Sequence, residues 1–218
     1  WCFWETGKSI FESVVMKKWN TLRFASKTVD KTFELKHYAY KMIRGIDFYN
    51  YVFENAAQFP KVTFQQETIV NIHERDNRAI IETDAGIYES DYIFNSTGIF
   101  NPKMSKDDTL LQHFMGWNVK SHQASFDKSK ATLMDFRISQ KHGTTFMYVL
   151  PTSENQALVE YTLFTPEVLE KETYGRELEA YIHHELHLDN FEIEHQEFGV
   201  IPMSLSKFQR QRGDRIIN

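Results

Sequence analysis

The chain has 218 residues, of which 41% are hydrophobic and 15% aromatic, and it carries a net charge of −5. This length allows one large domain or two small ones with a substantial core, and the aromatic share suits broad apolar contact surfaces. The acidic balance leaves no basic field that would recruit nucleic acid. No apolar run is long enough for a transmembrane span, no signal peptide is indicated, and the single cysteine, Cys2, excludes an internal disulfide.

The N-terminal part of the chain mixes helical and strand patterns. Ser9 as an N-cap and the apolar spacing after it predict a helix over 9–19. The segments "NTLRFAS" and "KTFELKHYAYKMI" alternate apolar and polar residues as strands do, with "TVDK" as the turn between them. Helical spacing returns in 45–58, and Pro60 ends this second predicted helix.

The rest of the chain is dominated by short strands. Alternating segments over 61–98, separated by "RDN" and "TDAG", predict a β-meander that ends in the small-residue loop Ser96-Thr97-Gly98. Further strands are predicted in "GWNVKSHQ", "ATLMDFRI", "TTFMYVLP", "ALVEYTLF" and "FEIEHQEFGVIPMSL", with a helix in "PEVLEKETYGRELEAYIHHELHL". Many strands with few helices predict an α+β fold, with a mostly antiparallel sheet covered by helices.

Two carboxylates interrupt otherwise apolar strands, Asp135 in "ATLMDFRI" and Glu160 in "ALVEYTLF". The simpler interpretation is a sheet with one solvent-exposed face, from which these side chains point into solvent. The functional interpretation places a carboxyl in an apolar slot, where desolvation raises its pKa and keeps it protonated as an acid. Spacing along the chain leaves both interpretations open.

Other motifs with known chemistry are weak. His183 and His187 are four residues apart with Glu185 between them, but this is not the H-E-x-x-H zinc signature and no third ligand is evident. A solvated helix face is the expected explanation, and no metal site is predicted. No nucleophile elbow, P-loop or Rossmann glycine fingerprint occurs, so hydrolase and kinase functions find no support.

Several segments together resemble the lycopene cyclase family of flavoproteins, in particular its bacterial type. They occur in the family's order and spacing: "YIFNSTG", "HFMGWNVKS", "ATLMDFR", "TTFMYVLP", "ALVEYTLF", "EFGVIPM" and "GDRIIN". The opening "WCFWE" is similar to the Trp-containing stretch after the family's second Rossmann strand. The resemblance covers essentially the whole chain and is strongest from Tyr92 to Phe164. Each piece alone is weak, but their conjunction is specific.

The resemblance implies part of a two-domain FAD/NAD(P)-binding flavoprotein, in which a mostly antiparallel substrate sheet interrupts the FAD domain. We expect 1–42 to hold the first substrate-side strands, 43–110 a remnant of the FAD domain with its helix and β-meander, 111–204 the substrate-binding sheet and helix, and 205–218 the return to the FAD domain. The chain is expected to be an internal piece. The glycine-rich nucleotide motif would precede Trp1, and a second flavin loop would follow Asn218.

The resemblance also implies the chemistry. The family closes the ψ-ends of lycopene into β-ionone rings by an acid-catalysed, redox-neutral reaction that needs reduced FAD without consuming it, with NAD(P)H as the electron source. Glu160 corresponds to the acidic residue of the family motif F-L-E-E-T. This chain reads L-V-E-Y-T, so Tyr161 replaces the second acid. Asp135 corresponds to the acid of the M-D motif, Arg44 resembles the arginine near the flavin, and Ser96, Thr97 and Gly98 resemble the flavin-side loop.

An apolar, aromatic environment would allow Glu160 to act as a proton donor. Enclosed by apolar side chains such as Phe146 and Tyr161, Glu160 would stay neutral and could donate a proton. Its conjugate base, or Asp135, would then remove the final proton. The faces of Phe136, Tyr148 and Tyr161 would stabilise the passing cation through their quadrupoles.

Lycopene dissolves in bilayers, so the resemblance implies a cytoplasmic protein attached peripherally to the inner face of the membrane through exposed apolar residues. Two other functions stay open. One is an FAD-dependent hydroxylase or prenyl reductase of the same superfamily. The other is a non-catalytic fragment that binds an apolar ligand.

Overall fold

The computed structural model describes residues 1–218 and divides into two compact units, one of Trp1–Gln58 with Leu110–Met203 and one of Phe59–Thr109 with Ser204–Asn218. The strands, in chain order, are β1 Cys2–Glu5, β2 Lys17–Trp19, β3 Thr21–Ala25, β4 Asp30–Glu34, β5 Ala39–Met42, β6 Ile69–Arg75, β7 Arg78–Thr83, β8 Ile87–Ser90, β9 Ile93–Phe94, β10 Thr109–Ser121, β11 Lys130–Asp135, β12 Thr144–Pro151, β13 Gln156–Thr165, β14 Phe191–Ser204, β15 Gln211–Arg212 and β16 Ile216–Ile217. The α-helices are α1 Gly45–Ala56 and α2 Lys171–His184. Neither helix has the length and apolarity needed to cross a membrane.

The first unit is built on a seven-stranded sheet with the order β14-β10-β13-β12-β11-β3-β4. The pairs β10–β13, β13–β12, β12–β11 and β3–β4 are antiparallel, whereas β11 and β3 are parallel. Side chains alternate between the two faces of a strand, and on β13 the side chains of Val159, Tyr161 and Leu163 are fully buried. They pack with α2, whose Leu178 and Ile182 are also fully buried. This contact forms the main core.

A smaller sheet in the same unit has the order β1-β5-β2. Here the expected helix over 9–19 is wrong, because only a 3-10 turn, Glu12–Val14, forms before β2. Trp19 is fully buried, and its indole N–H donates to the Pro151 carbonyl at 3.1 Å. Burial of this large ring and strand pairing with β5 outweigh the local helical spacing.

Helix α1 confirms the helical pattern predicted for 45–58, although the structure buries none of its residues. Its aromatic side chains contact one another and Trp1: the Trp1 ring lies 5.0 Å from that of Phe48 and 5.7 Å from that of Tyr49. The domain boundaries predicted from the sequence placed this helix with the meander in 43–110. In the structure, the helix lies in the compact unit of the seven-stranded sheet.

The second unit contains the predicted meander, β6-β7-β8, and a sheet of order β15-β16-β9. Strand β9 is parallel to β16. The Arg215 side chain ties this unit together, since it donates to the Asn77 side chain at 2.8 Å and to the Asp91 carbonyl at 3.1 Å. The sheets and two helices confirm the predicted α+β class.

Candidate active site around Glu160

The seven-stranded sheet has two faces with different contents. We call the side covered by α2 the helix face and the opposite side, which carries Glu160, the acid face. Because residues on one face of a strand are two apart, Leu158, Thr162 and Phe164 share the acid face with Glu160. Tyr148 of β12 lies directly opposite Glu160 in the strand register, so it belongs to the acid face as well.

The carboxyl of Glu160 is partly buried. Desolvation raises its pKa to about 7, and the negative charge of Glu197 adds to this increase, while a hydrogen bond from the Thr162 hydroxyl opposes it. That hydroxyl donates to Glu160 Oε1 at 2.8 Å. A carboxyl with this pKa is present in both protonation states near neutral pH, as general acid catalysis requires.

Aromatic rings line the acid face beside Glu160. The Phe146 ring lies 5.1 Å from that of Tyr148 and 5.3 Å from that of Phe136, with a further contact of 6.3 Å to Phe164. The structure therefore brings together four of the residues expected at the site: Glu160, Phe136, Phe146 and Tyr148. Burial raises the pKa of Tyr148 to about 12, with the Glu160 charge adding to the shift, so its hydroxyl keeps its proton.

A second carboxylate, Glu197, lies on this face and was missed from the sequence. Gly116 of β10 is directly opposite Glu160, and a Cβ added to this glycine would meet Cγ and Oε1 of Glu197 at 3.0 Å. The Glu197 side chain thus lies over the bare backbone of Gly116. Gly116 and Glu197 lie in the quoted segments "HFMGWNVKS" and "EFGVIPM". Their proximity to Glu160 follows only from the pairing of the strands.

The expectation that Asp135 shares a site with Glu160 is corrected by the structure. Asp135 is fully buried on the helix face, where it accepts hydrogen bonds from Arg137 Nη2 at 2.6 Å and from the Tyr181 hydroxyl of α2 at 2.8 Å. Burial acts to raise the pKa of Asp135, but hydrogen bonds from Arg137 and Tyr181 outweigh it and hold the pKa below its usual value. An irregularity in β11 before Asp135 accompanies this placement. The geometry fits an anchor for α2.

The expectation that Tyr161 encloses Glu160 and contacts the substrate is also wrong. As the chain neighbour of Glu160 on a strand, it points to the opposite face and is fully buried in the helix-face core. Its ring packs against that of Tyr174 at 6.0 Å. It therefore encloses neither Glu160 nor a substrate on the acid face.

The residues expected at the flavin lie in both compact units. In the first, Arg44 precedes α1 and its exposed guanidinium pairs with Asp47, with Nη2 2.8 Å from Oδ1. Arg44 also lines an open depression of about 510 Å³ with Asn50, Tyr51 and others. In the second, Ser96-Thr97-Gly98 follows the parallel strand β9, and the Thr97 hydroxyl donates to Asn95 Oδ1 at 2.7 Å. The space around Gly98 is open except for the Asn101 side chain, 3.5 Å from an added Cβ.

The histidines near the end of α2 do not form a cluster. His183 Nδ1 lies 3.5 Å from the exposed Asp189 carboxylate, and His187 has a backbone with positive φ beyond the helix. His183 lines a depression of about 500 Å³ on the helix side with Trp117 and Phe191. This depression lies away from Glu160.

Solved structures with a similar fold include a flavoprotein and other enzymes. A geranylgeranyl bacteriochlorophyll reductase-like protein from Thermoplasma acidophilum matches with a TM-score of 0.64 at 12% identity, covering 94% of this chain and 56% of that one. A flavoprotein/dehydrogenase from Cytophaga hutchinsonii matches at 0.61 and 15%, covering 92% and 54%. The p-nitrophenol 4-monooxygenase PnpA from Pseudomonas putida matches at 0.60 and 12%, covering 92% and 55%. The chain spans about half the length of these proteins.

These matches show that the chain shares its fold with these proteins, among them a flavoprotein, as the sequence predicted. A search of curated protein sequences finds no match. The model of the family described as lycopene cyclase protein matches residues 1–217. The chain therefore belongs to the lycopene cyclase family.

Proposed function

We propose that this protein closes the ψ-ends of lycopene into β-ionone rings by acid catalysis, with Glu160 as the proton donor. The observation that carries the proposal is the position of Glu160, a carboxyl with a pKa near 7 on an aromatic sheet face. Membership in the lycopene cyclase family supports the substrate class. A solvent-exposed acid would be ionised at neutral pH and could not protonate an alkene.

The acid face suits a hydrocarbon substrate. Lycopene has no polar group, so only apolar burial and shape can hold it. Phe136, Phe146 and Tyr148 offer aromatic faces to the tertiary cation formed when Glu160 protonates the terminal double bond, each worth about 1–2 kcal/mol in a dry site. The same rings exclude water that would otherwise hydrate the cation.

FAD is the cofactor that the proposal requires, with NAD(P)H as the source of its electrons. When bound, the reduced flavin would supply negative charge that stabilises the cation without changing the redox state of the product. In the first unit, the exposed guanidinium of Arg44 fits a contact with such a group. Arg44 offers a cationic donor.

We also propose that the protein attaches to the cytoplasmic side of a membrane; its substrate dissolves in lipid, which accounts for the membrane. Peripheral contact would use exposed apolar side chains. The structure has many of these in both units, including Ile10, Ile46 and Phe53 in the first and Val70, Phe94 and Leu205 in the second.

The direct test is Glu160→Gln in the full-length protein, expressed in cells that accumulate lycopene. Glutamine keeps the size of the side chain but cannot donate an acidic proton, so we expect ring formation to fall by about 100-fold or more. Chromatography of the carotenoids measures it. Glu154→Gln, at an exposed turn carboxylate, should keep normal activity. Near-normal cyclisation by Glu160→Gln would remove Glu160 from the mechanism.

A further inference from the structure

Four residues on neighbouring strands form a row across the acid face. Tyr148 and Gly116 each lie directly opposite Glu160 in the strand register, on β12 and β10 respectively. On the far side of Gly116, β14 contributes Glu197, whose side chain covers the glycine. Adjacent strands are about 4.8 Å apart. Two carboxylate side chains are therefore separated only by a residue without a side chain.

The sheet holds Glu197 in this place by a reciprocal fit between β10 and β14. Glu197 lies over Gly116, and two residues further along each strand the Phe114 ring lies over Gly199. A Cβ on Gly199 would come within 2.7 Å of Phe114 Cε1. The residue numbers rise on one strand as they fall on the other, as in an antiparallel pair. Both glycines thus make room for a side chain from the neighbouring strand.

We propose that Glu197 is the catalytic base that takes the final proton from the ring. This proposal rests on the cyclase function proposed above. Glu197 is exposed and its negative charge raises the pKa of Glu160, whereas Glu160 is partly buried and its protonated form is favoured. The two carboxyls therefore divide the roles, as paired acids in different environments do.

The proposed steps balance in atoms and electrons. The O–H bond of Glu160 breaks and a C–H bond forms at the less substituted carbon of the terminal double bond, leaving a tertiary cation on the dimethyl carbon. The neighbouring double bond attacks that carbon, so a C–C bond closes the ring and the charge moves into it. A carboxylate oxygen of Glu197 then takes a ring proton, and the electrons of that C–H bond become the ring double bond. Glu197 returns the proton to Glu160 through solvent, so no oxidant or reductant is consumed.

Asp135 is unsuitable for this role because it lies on the helix face and its oxygens are occupied by Arg137 and Tyr181. The titratable groups that interact electrostatically with Glu160 come from five elements or ends: Glu197 of β14, Tyr148 of β12, Cys2 of β1, Tyr40 of β5 and the amino group of Trp1. Of these groups, only Glu197 is a second carboxylate.

The test compares Glu197→Gln with Glu197→Asp and with Glu194→Gln, an exposed carboxylate on the same strand that binds the Gln156 side chain. In the full-length protein with reduced FAD and lycopene in liposomes, Glu197→Gln should lower kcat by about 100-fold with little change in KM. The aspartate variant should recover part of this loss, and Glu194→Gln should match the wild type. Normal kcat in Glu197→Gln would overturn the assignment.

Two further readouts separate catalysis from structure. Loss of the Glu197 charge should lower the pKa of Glu160, so the pH at which residual activity falls should move to lower values, and a carboxyl ¹³C titration of Glu160 should show the same shift without any turnover. An unchanged Glu160 titration would also overturn the proposal. If the wild type cyclises no lycopene, the proposed function fails first, whatever the variants do. If the wild type and Glu197→Gln both cyclise normally, only the role of Glu197 is lost.

Discussion

The surroundings of Glu160 disfavour its ionised form and so raise the pKa of its carboxyl. Its surroundings are Leu158, Thr162, Tyr148 and, across Gly116, the carboxylate of Glu197. Burial is the largest cause of its raised pKa, and one hydroxyl donor does not compensate for it. The raised pKa of Glu160 therefore implies that ionisation of this carboxyl lowers the stability of the folded protein above about pH 7.

This conflict predicts that Glu160→Gln stabilises the protein in alkaline solution. The folded-state pKa, about 7, lies above the ordinary value of 4.5, so the folded protein binds more protons and loses stability as pH rises from about 4.5 to 7. Above pH 7 the penalty is complete, and its removal should raise the free energy of unfolding by about 1–2 kcal/mol. Urea unfolding at pH 8 measures the gain, which should vanish near pH 4. Equal stability of variant and wild type at pH 8 would contradict the burial of this carboxyl.

At the scale of elements, the edge of the large sheet depends on complementary pairs of small and large residues. Gly199 on β14 accommodates the Phe114 ring of β10, and Gly116 accommodates Glu197. On the helix face of β10, the buried His113 ring links the strand to α2, since the Tyr174 hydroxyl lies 2.5 Å from Nδ1 and the Thr165 hydroxyl 2.7 Å from Nε2. Strand β10 thus contributes packing contacts to both the acid face and the helix face of the large sheet.

We predict that Gly199→Ala destabilises the first unit by about 1–3 kcal/mol, the usual effect of overpacking. The added methyl group would collide with the Phe114 ring, so the ring or the strand must shift. Chemical denaturation measures the loss. Gly45→Ala is the matched control, because a Cβ there has no neighbour within 4 Å. Adding Phe114→Leu to Gly199→Ala should recover part of the stability, and additive effects of the two changes would rule out the proposed contact.

At the scale of the whole molecule, the shared fold does not choose between cyclisation and redox chemistry. Proteins named as a reductase and a monooxygenase have the same architecture at 12% identity, and one fold supports many reactions. We propose cyclisation because a carboxyl with a raised pKa lies on the sheet face, whereas transfer of hydride or oxygen needs no such group.

Product mass tests this distinction. A cyclised product is an isomer of lycopene, so its mass should equal that of the substrate, whereas a hydroxylase adds an oxygen atom and a reductase adds hydrogen. In D₂O, each closed ring should contain one deuterium delivered by Glu160. Mass spectrometry of the carotenoids made by the full-length protein measures both the product mass in ordinary water and the deuterium content in D₂O. A heavier product in ordinary water would favour the redox alternatives.

Much of the fold follows from local sequence. Period-two alternation located β10 to β14, helical spacing located α1 and α2, and the single charge in "ALVEYTLF" singled out Glu160. The helix expected over 9–19 failed because burial of Trp19 and pairing with β5 are long-range effects that helical spacing does not encode.

The sequence by itself determined that an acid interrupts an apolar strand, because alternation and composition act over a few neighbouring residues. Only the tertiary structure decided which groups share its face. Tyr161 and Asp135 are near it in the chain or in motif, yet they face the helix, while Glu197 is remote in the chain and comes to the acid face through the order of strands. The physical reason is that a strand sends adjacent side chains to opposite faces, and sheet pairing joins residues without regard to their distance along the chain.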